Sequence, residues 1–425
     1  MSLLVKDWAR NHRFAGSKDR AFILGLCMDV LRRKGVLSQT MNDDSPRALA
    51  LSALRWDFGM DVDAIAVACT EDHGPGALKD SERDALSSEG LGNPADLLDI
   101  PSWLHQSFKA AFRSDTKAEA AAFSERAPVD LRVNTLKANV EKATKALASI
   151  GVERPNTVTN ALRIPPAAPN KKGAAIDVLP AYGKGWIEVQ DLGSQIASAC
   201  AGSLSGAQVL DFCAGGGGKT LALAALAGGK GQIYAYDKDA KRLSPIFERL
   251  RRAGVRTAQV RSPAEAPDPI KDLQGKMDLV FVDAPCTGSG TWRRRPDTKW
   301  RLTQKQFDQR LKDQRDVLRE ASAYVKPGGV LIWVTCSVFV EENETQIAAF
   351  LSEYQDFSPV SLDERLLGSG VIERQGVSEL SPCASAIDNI PYAALRLSPR
   401  RTRSDGFFVS ALLKTAHSTH NERST

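Results

Sequence analysis

From about residue 186 onward, short apolar runs alternate with amphipathic ones, and no other feature of the chain restricts its fold as much. Strand-like runs at 209–213, 232–236, 257–260, 279–282 and 330–334 are interleaved with helical patterns at 219–226, 240–253 and 304–325, and a further helical pattern follows at 342–351. Alternation of this kind builds a parallel sheet with helices on both faces, so the expected class is α/β. Residues 407–413 form a late strand, expected as an antiparallel edge.

The rest of the chain reads differently. Residues 1–92 are expected to form an all-helical domain: Phe22, Ile23, Leu26, Val30 and Leu31 recur at helical spacing, and a second apolar helix pattern covers 47–57. The polar stretch 87–93 reads as a loop. Residues 95–185 read as a small α/β subdomain, with helices at 103–112 and 140–150 and a strand at 131–134, interrupted by Pro165, Pro166 and Pro169. Residues 186–415 carry the sheet, and the polar tail 416–425 is expected to be disordered.

Composition excludes several classes. Of 425 residues, 43% are hydrophobic and 25% charged, a globular balance, and the net charge of +5 is only mildly basic. The seven cysteines form no C-x-x-C pair, which argues against a zinc site or a disulfide framework. No apolar run is long enough to span a membrane, and the N-terminus lacks a signal-peptide pattern. A cytoplasmic protein with no metal is expected. The positive charge is uneven: Arg249, Arg251, Arg252, Arg256 and Arg261 form one group, and Arg293, Arg294, Arg295, Lys299 and Arg301 another.

The first strand of the sheet runs into Cys213-Ala214-Gly215-Gly216-Gly217-Gly218-Lys219-Thr220. Glycines at a strand-to-helix turn let a ligand approach the backbone. A phosphate-binding P-loop is excluded, because the residue five before Gly218 is Cys213. A dinucleotide site fits only in part. An S-adenosylmethionine site needs an acid after the second strand, and Asp237 supplies one, although the same acid would suit NAD.

Two cysteines follow later strands: Cys286 in Asp283-Ala284-Pro285-Cys286, and Cys336 in Thr335-Cys336-Ser337. Both fall at carboxyl ends of strands, on the face that holds the glycine loop. Their chemistry suits an inert carbon. A thiolate adding to carbon 6 of cytosine makes carbon 5 nucleophilic enough to take a methyl group, and a carboxylic acid such as Asp283 can assist at N3.

At these residues the chain resembles the RsmB/Nop/Sun family of RNA cytosine-5 methyltransferases. The resemblance covers about 100–415 and extends to Arg132-Val133-Asn134-Thr135, Val189-Gln190-Asp191-Leu192-Gly193-Ser194-Gln195 and Asp405-Gly406-Phe407-Phe408. It implies a Rossmann-like class I methyltransferase domain using S-adenosylmethionine. Cys336 corresponds to the nucleophile and Cys286 to the cysteine that releases the product. Asp283 and Lys219 match residues near cofactor and target base, and Cys213 to Lys219 with Asp237 match the cofactor contacts. The N-terminal helices, from Gly16-Ser17-Lys18-Asp19-Arg20 onward, are similar to the NusB-like domain of bacterial members, which points to ribosomal RNA, with tRNA as the alternative substrate.

Two departures stand out. The family's C-A-A-P-G-G-K is C-A-G-G-G-G-K here, and the acid expected after the third strand is absent, leaving Ser262, Glu265 or a backbone carbonyl to face adenine. DNA cytosine methyltransferases carry only the Pro-Cys cysteine, so Cys336 favours RNA. A non-catalytic RNA-binding factor on the same fold would have lost Cys336, Asp283 or Asp237, and all three are present. Trp292 and Trp300, interleaved with the second basic run, are candidates for base stacking or for packing, and Arg132 and Asn134 for RNA contact or for bracing. No obligate protein partner is implied.

Overall fold

The computed structural model describes residues 2–88, 98–168 and 173–416. The expected disordered tail and most of the expected 87–93 loop lie outside these residues, as does the 92/95 boundary. The chain forms two compact units that cross the consecutive segments expected from the sequence. One comprises Met1–Pro128, Pro166–Ala174 and Thr291–Thr303, and the other the remainder.

The first unit is helical among the described residues. Its helices include Ser17–Arg32 and Pro46–Trp56, which cover the two expected apolar patterns, together with Lys34–Met41 and Val62–Thr70. Ser45 caps Pro46–Trp56 by accepting from Ala48 N, with Pro46 at the first helical position. Met41, Ala48, Leu51, Ile65, Cys69 and Leu86 form one of its cores.

The second basic run belongs to this unit and is mostly a packing element. Trp292 is 1% exposed and meets the Phe123 ring edge-on. Arg293 and Lys299 are buried. Trp300 Nε1 donates to Leu31 O at 2.7 Å and Lys299 Nζ to Arg32 O at 3.1 Å, so both satisfy carbonyls that end the Ser17–Arg32 helix. Arg294 donates to Pro128 O. Only Arg295 and Arg301 of the run are exposed. The sequence leaves RNA contact or packing open for this run, and burial together with these hydrogen bonds favours packing for Trp292, Arg293, Lys299 and Trp300.

The second unit holds two sheets. The smaller is antiparallel, in the order β2 (Ala161–Ile164), β1 (Val129–Val133), β3 (Ile187–Val189). The larger contains β4 (Gln208–Asp211), β5 (Gln232–Tyr236), β6 (Ala258–Arg261), β7 (Met277–Asp283), β8 (Val325–Thr335), β9 (Phe357–Val360), β10 (Ala384–Ile387), β11 (Ile390–Leu397) and β12 (Phe407–Lys414). Its order is β10-β11-β12-β8-β7-β4-β5-β6, with β9 pairing β12. Strands β6-β5-β4-β7-β8 are parallel, the expected Rossmann-like core. The stretches 279–282 of β7 and 330–334 of β8 are unbroken apolar runs and are buried, as expected for central strands of a parallel sheet.

Strand β12 is antiparallel as expected, but it is internal and not an edge. It pairs β8 on one side, and β11 and β9 on the other. The expected single helix over 240–253 divides into Ala240–Leu243 and Ile246–Ala253, because Pro245 has no amide hydrogen to continue the first. The helix Gln304–Ser322 turns Phe307, Gln314, Val317, Leu318 and Ala321 inward.

If Trp292 anchors the basic segment by packing, Trp292→Ala lowers stability by about 3–5 kcal/mol, the usual cost of emptying a buried aromatic site. Urea denaturation measures it, and a loss below about 1 kcal/mol would contradict the packing role.

Candidate active site

Strand β4 is the point where the order of the parallel strands reverses: β5 and β6 extend to one side, β7 and β8 to the other. A crevice opens beyond the carboxyl ends of strands at such a reversal. The loops leaving β4, β5, β7 and β8 carry Cys213 to Lys219, Asp237, Asp283 with Cys286, and Cys336 respectively, so the sheet brings every sequence-predicted site residue to one end.

The glycine loop is held from two directions. Ala214 N donates to Tyr236 O at 2.8 Å, and Gly215 N to the buried Asp237 Oδ2 at 3.0 Å. Gly217 has φ +82°, and a Cβ there would lie 2.4 Å from Ile246 Cγ1, so neither its backbone conformation nor its surroundings admit a side chain. Arg249 donates to Gly216 O at 2.7 Å and is itself held by the buried Glu188 of β3. Two members of the first basic group, Arg249 and Arg252, are thus spent on Glu188. The Pro-to-Gly departure leaves the loop anchored by Asp237 and Arg249.

Acids and cations are interleaved around the loop. Asp211 ends β4 fully buried. Its Oδ2 accepts from Thr220 at 2.6 Å, and its Oδ1 has no partner among the described residues. Burial pushes its carboxyl up to about 7, against the pull of Thr220. Burial, and then the charges of Asp237, Asp211 and Asp283, hold the Cys213 thiol well above its usual range, so Cys213 stays protonated. Lys219 Nζ pairs with Asp283 Oδ2 at 2.9 Å and lies over the Phe407 ring. Arg242 reaches Asp237 at 3.4 Å.

The two cysteines meet. Cys286 Sγ lies 3.4 Å from Cys336 Sγ, and both residues are half-buried. The hydrogen bond to Cys336, followed by burial, raises the Cys286 thiol well above its usual range. Below them sits a residue that sequence reasoning missed, Glu342. It is fully buried and accepts from Thr287 and Ser337, the residues that follow each cysteine. The polar pair Glu342-Asn343 directly ahead of a helical run was the available signal.

Other motifs brace the site. Arg132 donates to Gln190 Oε1, and Asn134 to the carbonyls of Gly185 and Ala253; both residues are buried, which favours bracing over RNA contact. Asp191 accepts from Asp405 N, and Gly406 N donates to Gly290 O at 2.8 Å, which ties the Asp-Gly-Phe-Phe motif to the Cys286 loop. After β6, Ser262 Oγ accepts from Ala264 N and Ser262 O from Glu265 N, while Glu265 is exposed beside Arg261 and Asp272. No cluster of three or more metal-ligating side chains occurs, and no helix is long and apolar enough to cross a membrane, among the described residues.

The buried Asp211 has a clear pH consequence. An unfolded aspartate titrates near 4 and the folded one near 7. The folded protein therefore holds an extra proton in this window and loses stability as pH rises through it. An asparagine side chain at this position has no proton to lose, so the Tm of Asp211→Asn relative to wild type should be higher at pH 8 than at pH 5. Equal differences at the two pH values would contradict the assignment.

Comparison with known proteins agrees with the geometry. Residues 203–413 match the family model described as 16S rRNA methyltransferase RsmB/F, and residues 100–169 match the RsmF/B-like ferredoxin-like domain. The chain is 31% identical over 347 residues to ribosomal RNA small subunit methyltransferase B of Cronobacter sakazakii, covering 80% of this chain and 72% of that protein. It is 29% identical to the probable ribosomal RNA small subunit methyltransferase B of Synechocystis, covering 74% and 67%. Among solved structures, PH0851 superposes with a TM-score of 0.69 at 27% identity, covering 96% of this chain and 93% of that one. A methyltransferase homolog from Pyrococcus horikoshii gives 0.57 at 25%, covering 75% and 96%. A glycine loop anchored by an acid, two apposed cysteines and these likenesses lead to one family: the chain belongs to the 16S rRNA methyltransferase RsmB/F family.

Proposed function

We propose that this protein methylates carbon 5 of a cytosine in small-subunit ribosomal RNA, using S-adenosylmethionine and a transient covalent bond from Cys336. The observation that carries the proposal is the 3.4 Å contact between Cys286 and Cys336 beyond the carboxyl ends of the adjacent strands β7 and β8. Of the two, Cys336 stands in the Thr335-Cys336-Ser337 motif that the family resemblance assigns to the nucleophile.

The loop from β4 suits S-adenosylmethionine. Its glycines carry no side chains to keep a ligand from the main chain, Asp237 supplies carboxylate oxygens for ribose hydroxyls, and the neighbouring Asp237 and Asp283 favour a positively charged sulfonium. Asp211 Oδ1, buried and without a partner, adds to that acidic field. Cys213, Ala214, Gly215, Gly216, Gly217, Gly218 and Lys219 with Asp237 and Asp283 would line the cofactor. When bound, it supplies an electrophilic methyl group.

The chain's own residues would do the rest. Cys336, as the thiolate, adds through Sγ to carbon 6, and Asp283 in its acid form, held beside Lys219, passes its proton to N3, so that the ring becomes an enamine. Carbon 5 then carries the electron pair that takes the methyl group. N3 then returns its proton to the Asp283 carboxylate, the carbon-5 hydrogen leaves as a proton to water, and the sulfur–carbon 6 bond breaks with its electrons returning to Cys336. Cys286 assists this release, its thiol hydrogen bonding to the departing sulfur. Cations exposed on the surface, among them Arg251, Arg256, Arg295 and Arg301, are left for the phosphates.

Cys336→Ala should lower methyl transfer by at least a thousandfold and leave S-adenosylmethionine affinity within about twofold. Cys286→Ala should accumulate a protein–RNA band that resists denaturant. Methyl transfer at the wild-type rate by Cys336→Ala would overturn the mechanism. Bisulfite mapping of total RNA with and without the protein identifies the target, and a lost mark in tRNA instead of ribosomal RNA would overturn the substrate. RNA affinity should also fall steeply between about 50 and 200 mM salt, because phosphate contacts release counterions. A flat response would contradict that mode of binding.

A further inference from the structure

We propose that Glu342 is a positioning residue for catalysis: its buried carboxylate fixes the distance between the two cysteine sulfurs by tying together the residue that follows each. This rests on the cysteine chemistry proposed above.

The two cysteines lie where the sheet stops holding the chain. Asp283 and Val334 are the last residues paired between β7 and β8. Beyond them the backbone contributes Ala284 N to Val334 O at 2.8 Å and Gly290 N to Cys336 O at 2.9 Å. The Cys286 loop between these two bonds is otherwise held by side chains.

Glu342 supplies the link. Its Oε1 accepts from Thr287 N at 2.8 Å and from Gln314 Nε2 at 3.2 Å. Its Oε2 accepts from Thr287 Oγ1 at 2.5 Å and from Ser337 Oγ. Counting hydrogens fixes the direction of the chain. Ser337 has one hydroxyl proton and gives it to Glu342, so Ser289 Oγ, 3.0 Å away, donates to Ser337 and accepts from Val338 N at 2.9 Å. The next residue acts in the same way: Asn343 Oδ1 accepts from Thr335 Oγ1 at 2.6 Å, and its Nδ2 donates to Ser337 O at 3.0 Å. Both neighbours of Cys336 are therefore pinned by consecutive side chains, and Thr287 is pinned to the same carboxylate.

A carboxylate with no solvent exposure is expensive, and burial raises its own pKa despite these donors. Glutamine would fill the same volume at lower cost. It could not replace the carboxylate, because only an ionised carboxylate accepts at both ends. A glutamine side chain there would present an NH2 group to one set of donors and release either the Thr287 main chain or the Ser337 hydroxyl. The charge has a second consequence: it lies close enough to Cys286 to oppose ionisation of that thiol.

The test compares wild type with Glu342→Gln and Ser337→Ala, using an RNA substrate. The expected result for Glu342→Gln is a kcat at least tenfold lower, with the KM for S-adenosylmethionine within twofold and the Tm within a few degrees of wild type. A denaturant-resistant protein–RNA adduct should persist longer than in wild type, because sulfurs no longer held at contact distance release the product slowly. Ser337→Ala, which removes one donor, should show the same pattern with a smaller loss of kcat, and it carries the test if Glu342→Gln does not fold. Wild-type kcat and adduct lifetime in a folded variant would overturn the proposal. So would a loss of kcat matched by an equal loss of folded protein, which marks a purely structural role. If wild type itself forms no adduct with 5-fluorocytidine RNA, the cysteine mechanism has failed, and that outcome is distinct from failure of the Glu342 assignment.

Discussion

Everything at the site depends on parallel register. Strands β5, β4, β7 and β8 run the same way, so their carboxyl ends come out on one edge, and the reversal of strand order at β4 opens a crevice there. Residues separated by more than a hundred positions, such as Cys213 and Cys336, reach one neighbourhood only because these ladders are in register. The apolar stretches 279–282 of β7 and 330–334 of β8 secure that register, since all of their side chains are buried.

On this frame the reactive loops are held by buried acids. Asp237 takes the amide of Gly215, Glu188 holds Arg249 on the carbonyl of Gly216, and Glu342 joins the two cysteine loops. Asp237 and Glu342 sit where the backbone ladder has ended and amides or hydroxyls would otherwise lack partners, whereas Glu188, within β3, takes guanidinium groups. A carboxylate suits such places because it offers acceptor capacity in several directions at once. The cost is an acidic interior, visible in the raised carboxyl of Asp211 and the raised thiol of Cys213. A cationic cofactor would relieve it.

The parallel core was legible from sequence because buried strands alternating with amphipathic helices leave a strong periodic trace. The site was legible for a related reason: glycines, Asp237, Asp283, Cys286 and Cys336 all follow directly on those strands. Strands β9, β10 and β11 left little trace, being short or carrying Pro359 and Pro391, which read as breaks. The internal position of β12 follows from these later strands and was missed with them. The run 292–301 stayed open because charge counts do not reveal burial: Lys299 and Trp300 close a helix end, and Trp292 fills a core. Arg132 and Asn134 were ambiguous until their carbonyl and amide partners were located across the fold. Glu342 looked like an ordinary acid at a helix start, and nothing local betrays that its partners lie 5 and 55 residues away.

The proposed chemistry stands on a bond between the sulfur at position 336 and the pyrimidine ring. Trapping with RNA that carries 5-fluorocytidine at the target reads that bond out, since a fluorine on carbon 5 cannot leave as a proton and the adduct accumulates. Mass spectrometry of the digested adduct should find the nucleotide on the peptide containing Cys336. A nucleotide on the peptide containing Cys286, or methyl transfer to RNA without any trapped adduct, would contradict this chemistry.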